Sequence, residues 1–189
     1  LFEAVVVSTD DAEIADVARA HGASVPFVRP PELSDDHTGT APVIGHAIQH
    51  FRAQGLAPDP VCCIYATAPF VRAEDLKRGV AMLNATGADY AFSVTSYAFP
   101  IQRAVRLTDS GRVAMFQPEH YQTRSQDLEE AFHDAGQFYW GRADAWLNGQ
   151  PMFAAGAAPV PLPRHRVQDI DTLEDWDRAE WMFKALRAQ

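Results

Sequence analysis

Short apolar runs alternate with stretches of helical periodicity through the first half of the sequence, and this alternation most constrains the fold. Apolar or β-branched runs occupy residues 24–28, 61–65 and 90–95, and a similar run at 3–8 precedes them. Between them the apolar residues recur at helical spacing. Strands that alternate with helices predict a mostly parallel sheet with helices on both faces, so we expect an α/β fold.

The rhythm changes after residue 96. Residues 105–107 and 112–116 flank Asp109-Ser110-Gly111, which predicts a hairpin. A polar stretch and a further strand follow, and helical apolar spacing over 173–186 predicts a last helix. We interpret residues 1–189 as one domain, with an inserted β arm at about 97–140 that is typical of a subunit contact.

The amino-acid composition limits the kinds of molecule that the protein is expected to bind. The 189 residues carry 25 acidic and 16 basic side chains, a formal net charge of -9, which argues against nucleic acid. No apolar run approaches the roughly 20 residues that span a bilayer. The two cysteines, Cys62 and Cys63, are adjacent and cannot form an ordinary disulfide. We expect a cytoplasmic protein that binds neither nucleic acid nor a membrane.

The sharpest local signal is Asp169-Ile170-Asp171. Carboxylates at i and i+2 of an extended segment point to the same side, so they could share a hard cation such as Mg²⁺. The alternative is a capping box, since Asp171 or Thr172 precedes the last helix and Glu174 lies three residues after Asp171. The two interpretations are compatible.

Polar side chains elsewhere give weaker signals. Arg29, with the hydroxyls of Ser34, Thr38 and Thr40, could bind a base and ribose, or could belong to a solvated loop. Donors in the arm could dock a carboxylate or phosphate, or form an exposed polar surface. These donors are Arg124, Gln126, His133 and Gln137. The cluster Arg164, His165 and Arg166 could hold phosphate beside a metal, although a surface charge run is the default.

Five segments in this order resemble the acylneuraminate cytidylyltransferases, and together they span nearly the whole chain. They are VVVSTDDAEIA (5–15), RPPELSDDHTGT (29–40), IYATAPF (64–70), TRSQDLEEAFHDAGQFYW (123–140) and VQDIDTLEDW (167–176). IYATAPF and HDAGQFYW look most like the pseudaminic acid branch of that family. The resemblance implies a Rossmann-like, nucleotide-diphospho-sugar transferase-like fold and a homodimer whose β arm reaches the neighbouring subunit.

The resemblance also implies a reaction and a set of site residues. CMP would pass from CTP to pseudaminic acid with release of pyrophosphate, and Mg²⁺ would be held by Asp169 and Asp171. Arg124 would join these two aspartates as a catalytic residue. The nucleotide would be bound by Asp10, Arg29, Thr38, Thr40 and Thr67. The sugar would be bound by Tyr65, Tyr121, Gln126, Tyr139 and Phe153.

Two departures from the family pattern leave alternatives open. The sequence lacks the family's opening strand and phosphate loop, so we expect a domain that is incomplete at its N-terminus, and one alternative is a non-catalytic module that binds a nucleotide or a partner. Tyr65 and Gln102 stand where sialic acid enzymes carry a Gln and a basic residue, which suggests a differently substituted sugar. The nearest alternative is therefore the same chemistry on N-acetylneuraminic or legionaminic acid.

Overall fold

The computed structural model describes residues 1–188 and has an α/β architecture. Five α-helices, six strands and five short 3-10 helices make up the regular structure of the described residues. The helices are α1 (Ala12–Ala20), α2 (Thr40–Ala53), α3 (Ala73–Thr86), α4 (Ala143–Leu147) and α5 (Leu173–Arg187). The strands are β1 (Val61–Ile64), β2 (Tyr90–Ser96), β3 (Val105–Leu107), β4 (Val113–Met115), β5 (Phe132–Gly141) and β6 (Ala157–Pro161).

Four strands form the main sheet in the order β1-β5-β2-β6. Arg142 N–H donates to Asp89 O, and Tyr97 N–H donates to Ala131 O. Residue numbers rise along β5 as they fall along β2, so these two strands are antiparallel. The later strand β5 is thus inserted between two strands that precede it in the chain.

The remaining strands run in one direction. Asp89 N–H donates to Gly156 O, and Leu162 N–H donates to Val94 O, so β6 is parallel to β2. At the other side of β5, Tyr65 N–H donates to Gln137 O. Upstream of β1, the Asp59 carboxylate accepts from Ala143 N–H beyond the end of β5, which makes β1 antiparallel to β5. Three of the four strands run in the same direction, and β5 is antiparallel to both of its neighbours, so the α/β fold is confirmed with a mixed central sheet.

The expected strands at 3–8 and 24–28 are reduced to one parallel bridge between Val6 and Ser24. Val5 and Val28 are largely exposed, so their β-branched side chains gain little from packing. Neither segment joins the four-stranded sheet of the described residues. An apolar run becomes a strand only where a neighbour pairs with it, and the sequence pattern cannot supply that information.

The contacts divide the chain into two compact units. The first unit comprises Leu1–Cys63, Val80–Ala91 and Trp140–Ala158. Its core holds Ile48 of α2, Tyr90 and Trp146 of α4, each buried. The Tyr90 and Trp146 rings meet edge to face at 5.0 Å, and the Trp146 indole N–H donates to Val61 O at 3.4 Å. The buried indole thereby keeps a hydrogen-bond partner.

The second unit comprises Ile64–Gly79, Phe92–Tyr139 and Pro159–Gln189. Its core contains Phe138 and Tyr139 of β5 and Phe92 of β2. The second unit also contains the expected hairpin, in which β3 and β4 pair antiparallel with Val105 opposite Met115. None of the helices within residues 1–188 is both long and apolar enough to cross a bilayer.

Candidate functional site

The candidate site lies at one edge of the sheet within the second unit. The parallel strands β1, β2 and β6 end at this edge, and the antiparallel β5 begins there. In open α/β sheets ligands bind beyond the carboxyl ends of the strands. Residues 65–67 and 162–171 follow the carboxyl ends of β1 and β6, and residues 132–134 lie at the same edge because they begin the antiparallel β5.

Asp169 and Asp171 lie in the connection from β6 to α5, and both are exposed. The N-cap of α5 is Thr172, whose hydroxyl accepts from Asp175 N–H. The Asp175 carboxylate in turn accepts from Thr172 N–H, so the expected partner Glu174 is wrong and Asp175 completes the capping box. The hydrogen bond from Thr172 lowers the pKa of Asp175. The cap therefore leaves both candidate metal ligands to solvent.

The donor chemistry of these two carboxylates fits a hard cation. Within residues 1–188 neither Asp169 nor Asp171 forms an ion pair, and the Asp169 Oδ1 accepts one hydrogen bond from Ile170 N–H at 3.2 Å. No group of three or more acidic, histidine or cysteine ligands occurs in that part of the chain. Mg²⁺ is commonly held by one or two carboxylates with waters and substrate phosphates. Two unpaired aspartates suit that kind of site.

Strand β5 carries a bulge beside Asp169. From Asp89 to Tyr97 the chain advances eight residues, whereas the paired stretch from Ala131 to Arg142 advances eleven. Gly136 lies in this stretch with φ +62°, a conformation that favours glycine. A Cβ added there would lie 3.4 Å from Asp169 Oδ1, so the carboxylate rests against the bulge.

Asp134 organises the bulge. Its Oδ1 accepts from Gly136 N–H at 2.9 Å, and its Oδ2 accepts from the Tyr139 hydroxyl at 2.5 Å. Burial, reinforced by the Asp134 carboxylate, raises the pKa of Tyr139. Asp134 was not predicted from the sequence, although a glycine inside a strand pattern is a known signal of a bulge.

The expected sugar residues Tyr65 and Tyr139 come together. Their ring centroids are 4.9 Å apart. Tyr65 is half-buried at the end of β1, whereas Tyr139 is only 2% exposed and stacks on Phe92 at 6.0 Å. Tyr139 therefore presents almost no surface to a ligand. The half-buried Tyr65 keeps part of its ring accessible. Thr67, expected to bind nucleotide, is exposed in the turn that follows β1.

Two residues interpreted as polar surface groups are buried. Gln137 is 1% exposed, and its amide N–H donates to Arg166 O at 2.5 Å. Arg166 is 8% exposed and pairs with the buried Asp75, at 2.6 Å between Nη1 and Oδ2. The expectation that Gln137 is a ligand donor or an exposed group in the arm is therefore wrong. The default that placed Arg166 in a surface charge run is wrong as well.

Other expected nucleotide residues lie in the first unit. Arg29 contacts Asp10 at 3.3 Å and donates to the Ser34 hydroxyl at 3.0 Å. The Thr38 hydroxyl donates to a backbone carbonyl of the same loop, and Thr40 begins α2. Arg29 is thus held in place by its neighbours, which separates it from a freely solvated loop side chain.

The remaining expected residues are exposed. Arg124 forms a two-pronged pair with Asp127 at 2.7 and 3.1 Å, and Gln126 lies in the same short turn of the second unit. Tyr121 of that unit is 66% exposed, and Phe153 of the first unit is 72% exposed. Arg124 already has a carboxylate partner, so a substrate anion would have to compete with Asp127.

Comparison with known proteins agrees with the fold and with the ordered motifs. The sequence model of the family described as "Cytidylyltransferase" matches residues 1–148. The pseudaminic acid cytidylyltransferase of Campylobacter jejuni is 41% identical over 97% of this chain and 79% of its own length. The CMP-N,N'-diacetyllegionaminic acid synthase of Legionella pneumophila is 27% identical over 96% of this chain and 78% of its own length.

A solved structure supports the fold independently. CMP:2-keto-3-deoxy-manno-octonic acid synthetase, in complex with CTP, superimposes with a TM-score of 0.64 at 14% identity. The alignment covers 96% of this chain and 81% of that chain. At this identity the likeness concerns the fold. The family match over most of the chain and the 41% identity settle the classification: this chain belongs to the cytidylyltransferase family.

Proposed function

We propose that the protein transfers CMP from CTP to pseudaminic acid and releases pyrophosphate. The observation that carries this proposal is the 41% identity to the Campylobacter jejuni pseudaminic acid cytidylyltransferase over 97% of the chain. The site is consistent with it, because two exposed carboxylates lie at the edge of the sheet where ligands bind in such folds.

In the proposed reaction an oxygen of the sugar attacks the α-phosphorus of CTP. One P–O bond forms to the sugar, the bond to the leaving pyrophosphate breaks, and the hydroxyl proton passes to solvent. Asp169 and Asp171 would hold Mg²⁺, which when bound neutralises charge on the phosphates. Arg29 and Asp10, already fixed against each other at 3.3 Å, would orient the cytidine with Thr38 and Thr40.

For the sugar, Tyr65 would offer the accessible aromatic surface, and the buried Tyr139 ring packs against Tyr65. Thr67 and Arg124 supply donors for phosphate or carboxylate oxygens, with Gln126, Tyr121 and Phe153 completing the set. Phosphoryl transfer needs mainly positioning and electrostatics, which residues of these kinds provide.

The metal role is tested by Asp169→Asn and Asp171→Asn in the full-length protein. Loss of a carboxylate ligand removes several kcal/mol of charge stabilisation, so kcat should fall by at least about a hundredfold. Glu174→Gln is the matched control, since Glu174 is an exposed acid of the same segment outside the capping box, and it should turn over normally. Unchanged turnover in both aspartate variants would show that the proposed metal ligands are wrong.

The sugar is tested by competition. Pseudaminic, legionaminic and N-acetylneuraminic acids at equal concentrations should give CMP-sugars in proportion to their kcat/KM values, with pseudaminic acid ahead. The legionaminic alternative draws on the Legionella pneumophila relative. Predominant CMP-N-acetylneuraminic acid would refute the assignment of the sugar while keeping the chemistry. CTP binding without pyrophosphate release on any sugar would favour the non-catalytic module.

The proposal includes a cytoplasmic homodimer joined through the β arm. The arm of the described chain exposes apolar side chains that a second copy would cover. They are Phe99, Val105, Leu107, Val113 and Phe116. Leu107→Asp should shift the mass measured by sedimentation equilibrium from dimer to monomer, whereas Arg106→Asp, on a neighbouring position of β3, should shift it less. A monomeric wild-type protein at micromolar concentration would contradict this part.

A further inference from the structure

The Gln137 side chain is buried without full hydrogen bonding. Its amide N–H donates to Arg166 O at 2.5 Å, while its Oε1 has no hydrogen-bond partner within residues 1–188. Leaving a buried polar atom unpaired destabilises the folded state. An apolar side chain would avoid that cost, whereas the amide gains the hydrogen bond to Arg166 O.

The segment that Gln137 holds leads directly to a candidate metal ligand. Arg166 lies three residues before Asp169. The Arg166 guanidinium donates to the buried Asp75 carboxylate at 2.6 and 3.5 Å. The backbone carbonyl of Arg166 accepts from the Gln137 amide. Arg166 is therefore held at both its side chain and its backbone.

Asp169, at the other end of the segment, rests on the residue before Gln137. Gly136 takes φ +62° and leaves room for the Asp169 carboxylate, which a Cβ would meet at 3.4 Å. Asp134 stabilises this conformation by accepting from Gly136 N–H. Consecutive residues of β5 thus contact both ends of the Arg166–Asp169 segment.

We propose that Gln137 is a positioning residue, which holds the Arg166–Asp169 segment against β5 and so sets the place of the Asp169 carboxylate. This inference rests on the proposed role of Asp169 as a metal ligand. Residues that orient a ligand through another group typically change metal affinity by about 10–100-fold when they are replaced.

The test measures CTP binding by calorimetry with saturating Mn²⁺ and with EDTA, without the sugar. In the wild type Mn²⁺ should strengthen CTP binding, and Gln137→Met, which is close in size but cannot donate, should reduce this strengthening by about tenfold. Trp146→Phe is the matched control. The buried Trp146 indole N–H donates to Val61 O in the first unit, so this variant also removes a buried donor to a backbone carbonyl, but that hydrogen bond reaches neither Gln137 nor the Arg166–Asp169 segment. This control should lower the melting temperature and leave the strengthening unchanged.

Asp169→Asn separates the two proposals. If it keeps the full effect of Mn²⁺, the metal role fails and the positioning role with it. If Asp169→Asn loses the effect but Gln137→Met stays within about twofold of wild type, only the positioning role is overturned. Should Gln137→Met fail to fold, Gln137→Asn decides, because the shorter side chain keeps the amide but cannot reach Arg166 O. A weaker Mn²⁺ effect then supports the proposal, and an unchanged one overturns it.

Discussion

The buried ion pair between Asp75 of α3 and Arg166 allows a quantitative prediction. Their side chains are 4% and 9% exposed, and the shorter contact is 2.6 Å. Replacing Asp75 with Asn leaves the Arg166 guanidinium buried beside a neutral amide. Removal of one partner of a buried pair typically costs about 3–5 kcal/mol, because the remaining charge has lost its compensation.

This cost converts into a melting temperature. A chain of 189 residues has an unfolding entropy of roughly 0.4 kcal/mol per kelvin at about 2.1 cal/mol/K per residue. Asp75→Asn should therefore lower the melting temperature by about 8–12 °C. Differential scanning calorimetry measures this directly, and urea unfolding gives the same free-energy difference from the midpoint.

Two further variants test whether the loss of stability comes from the buried Asp75–Arg166 pair. Arg78 also contacts Asp75, at 2.8 Å, but its side chain is 51% exposed, so Arg78→Ala should cost at most about 1 kcal/mol. The double variant Asp75→Leu with Arg166→Met replaces both charges with apolar groups and should recover most of the lost stability. The reasoning is refuted if Asp75→Asn costs no more than Arg78→Ala.

Two other predictions concern local features. Thr172→Ala removes the N-cap of α5 and should cost about 1 kcal/mol near pH 7 in urea unfolding. The pKa of Asp175 is lowered in the folded state, so its contribution to the capping stability is present above its unfolded pKa and should be lost as the pH falls through the lowered value. A difference in unfolding free energy between wild type and Thr172→Ala that persists undiminished in acid would contradict this. Burial raises the pKa of Cys63 to about 12, so Cys62, which is less buried, should react first with a thiol reagent at pH 8; faster labelling of Cys62→Ala than of Cys63→Ala would contradict the assignment.

Local periodicity predicted several elements well. The run at 61–65 is β1, the run at 90–95 is β2, and the stripe over 173–186 is α5. In these elements the local apolar pattern and the tertiary packing agree. The hairpin in the arm was also predictable, because its turn chemistry is local.

Long-range pairing was not predictable from the same patterns. Nothing in the composition of β5 shows that it inserts antiparallel between two earlier strands, since strand order depends on partners far away in the chain. The segments at 3–8 and 24–28 have strand-like composition yet form only a bridge, because pairing decides the outcome.

The candidate site was predicted in its parts but not in its support. The pair Asp169 and Asp171 stood out by spacing, and the structure leaves both exposed. The sequence did not indicate the roles of Asp75 and Asp134 or the burial of Gln137. A polar residue in a sequence does not show whether its hydrogen-bond partner is water or a distant side chain. Buried polar groups are recognised by their partners, which only the fold supplies.

The central claim is best tested by one measurement: pyrophosphate release by the full-length protein with CTP, Mg²⁺ and pseudaminic acid, run beside N-acetylneuraminic acid. We expect release with pseudaminic acid at the higher kcat/KM, together with a CMP-sugar product identified by mass spectrometry. Absence of release with either sugar, from folded protein that still binds CTP, would contradict it.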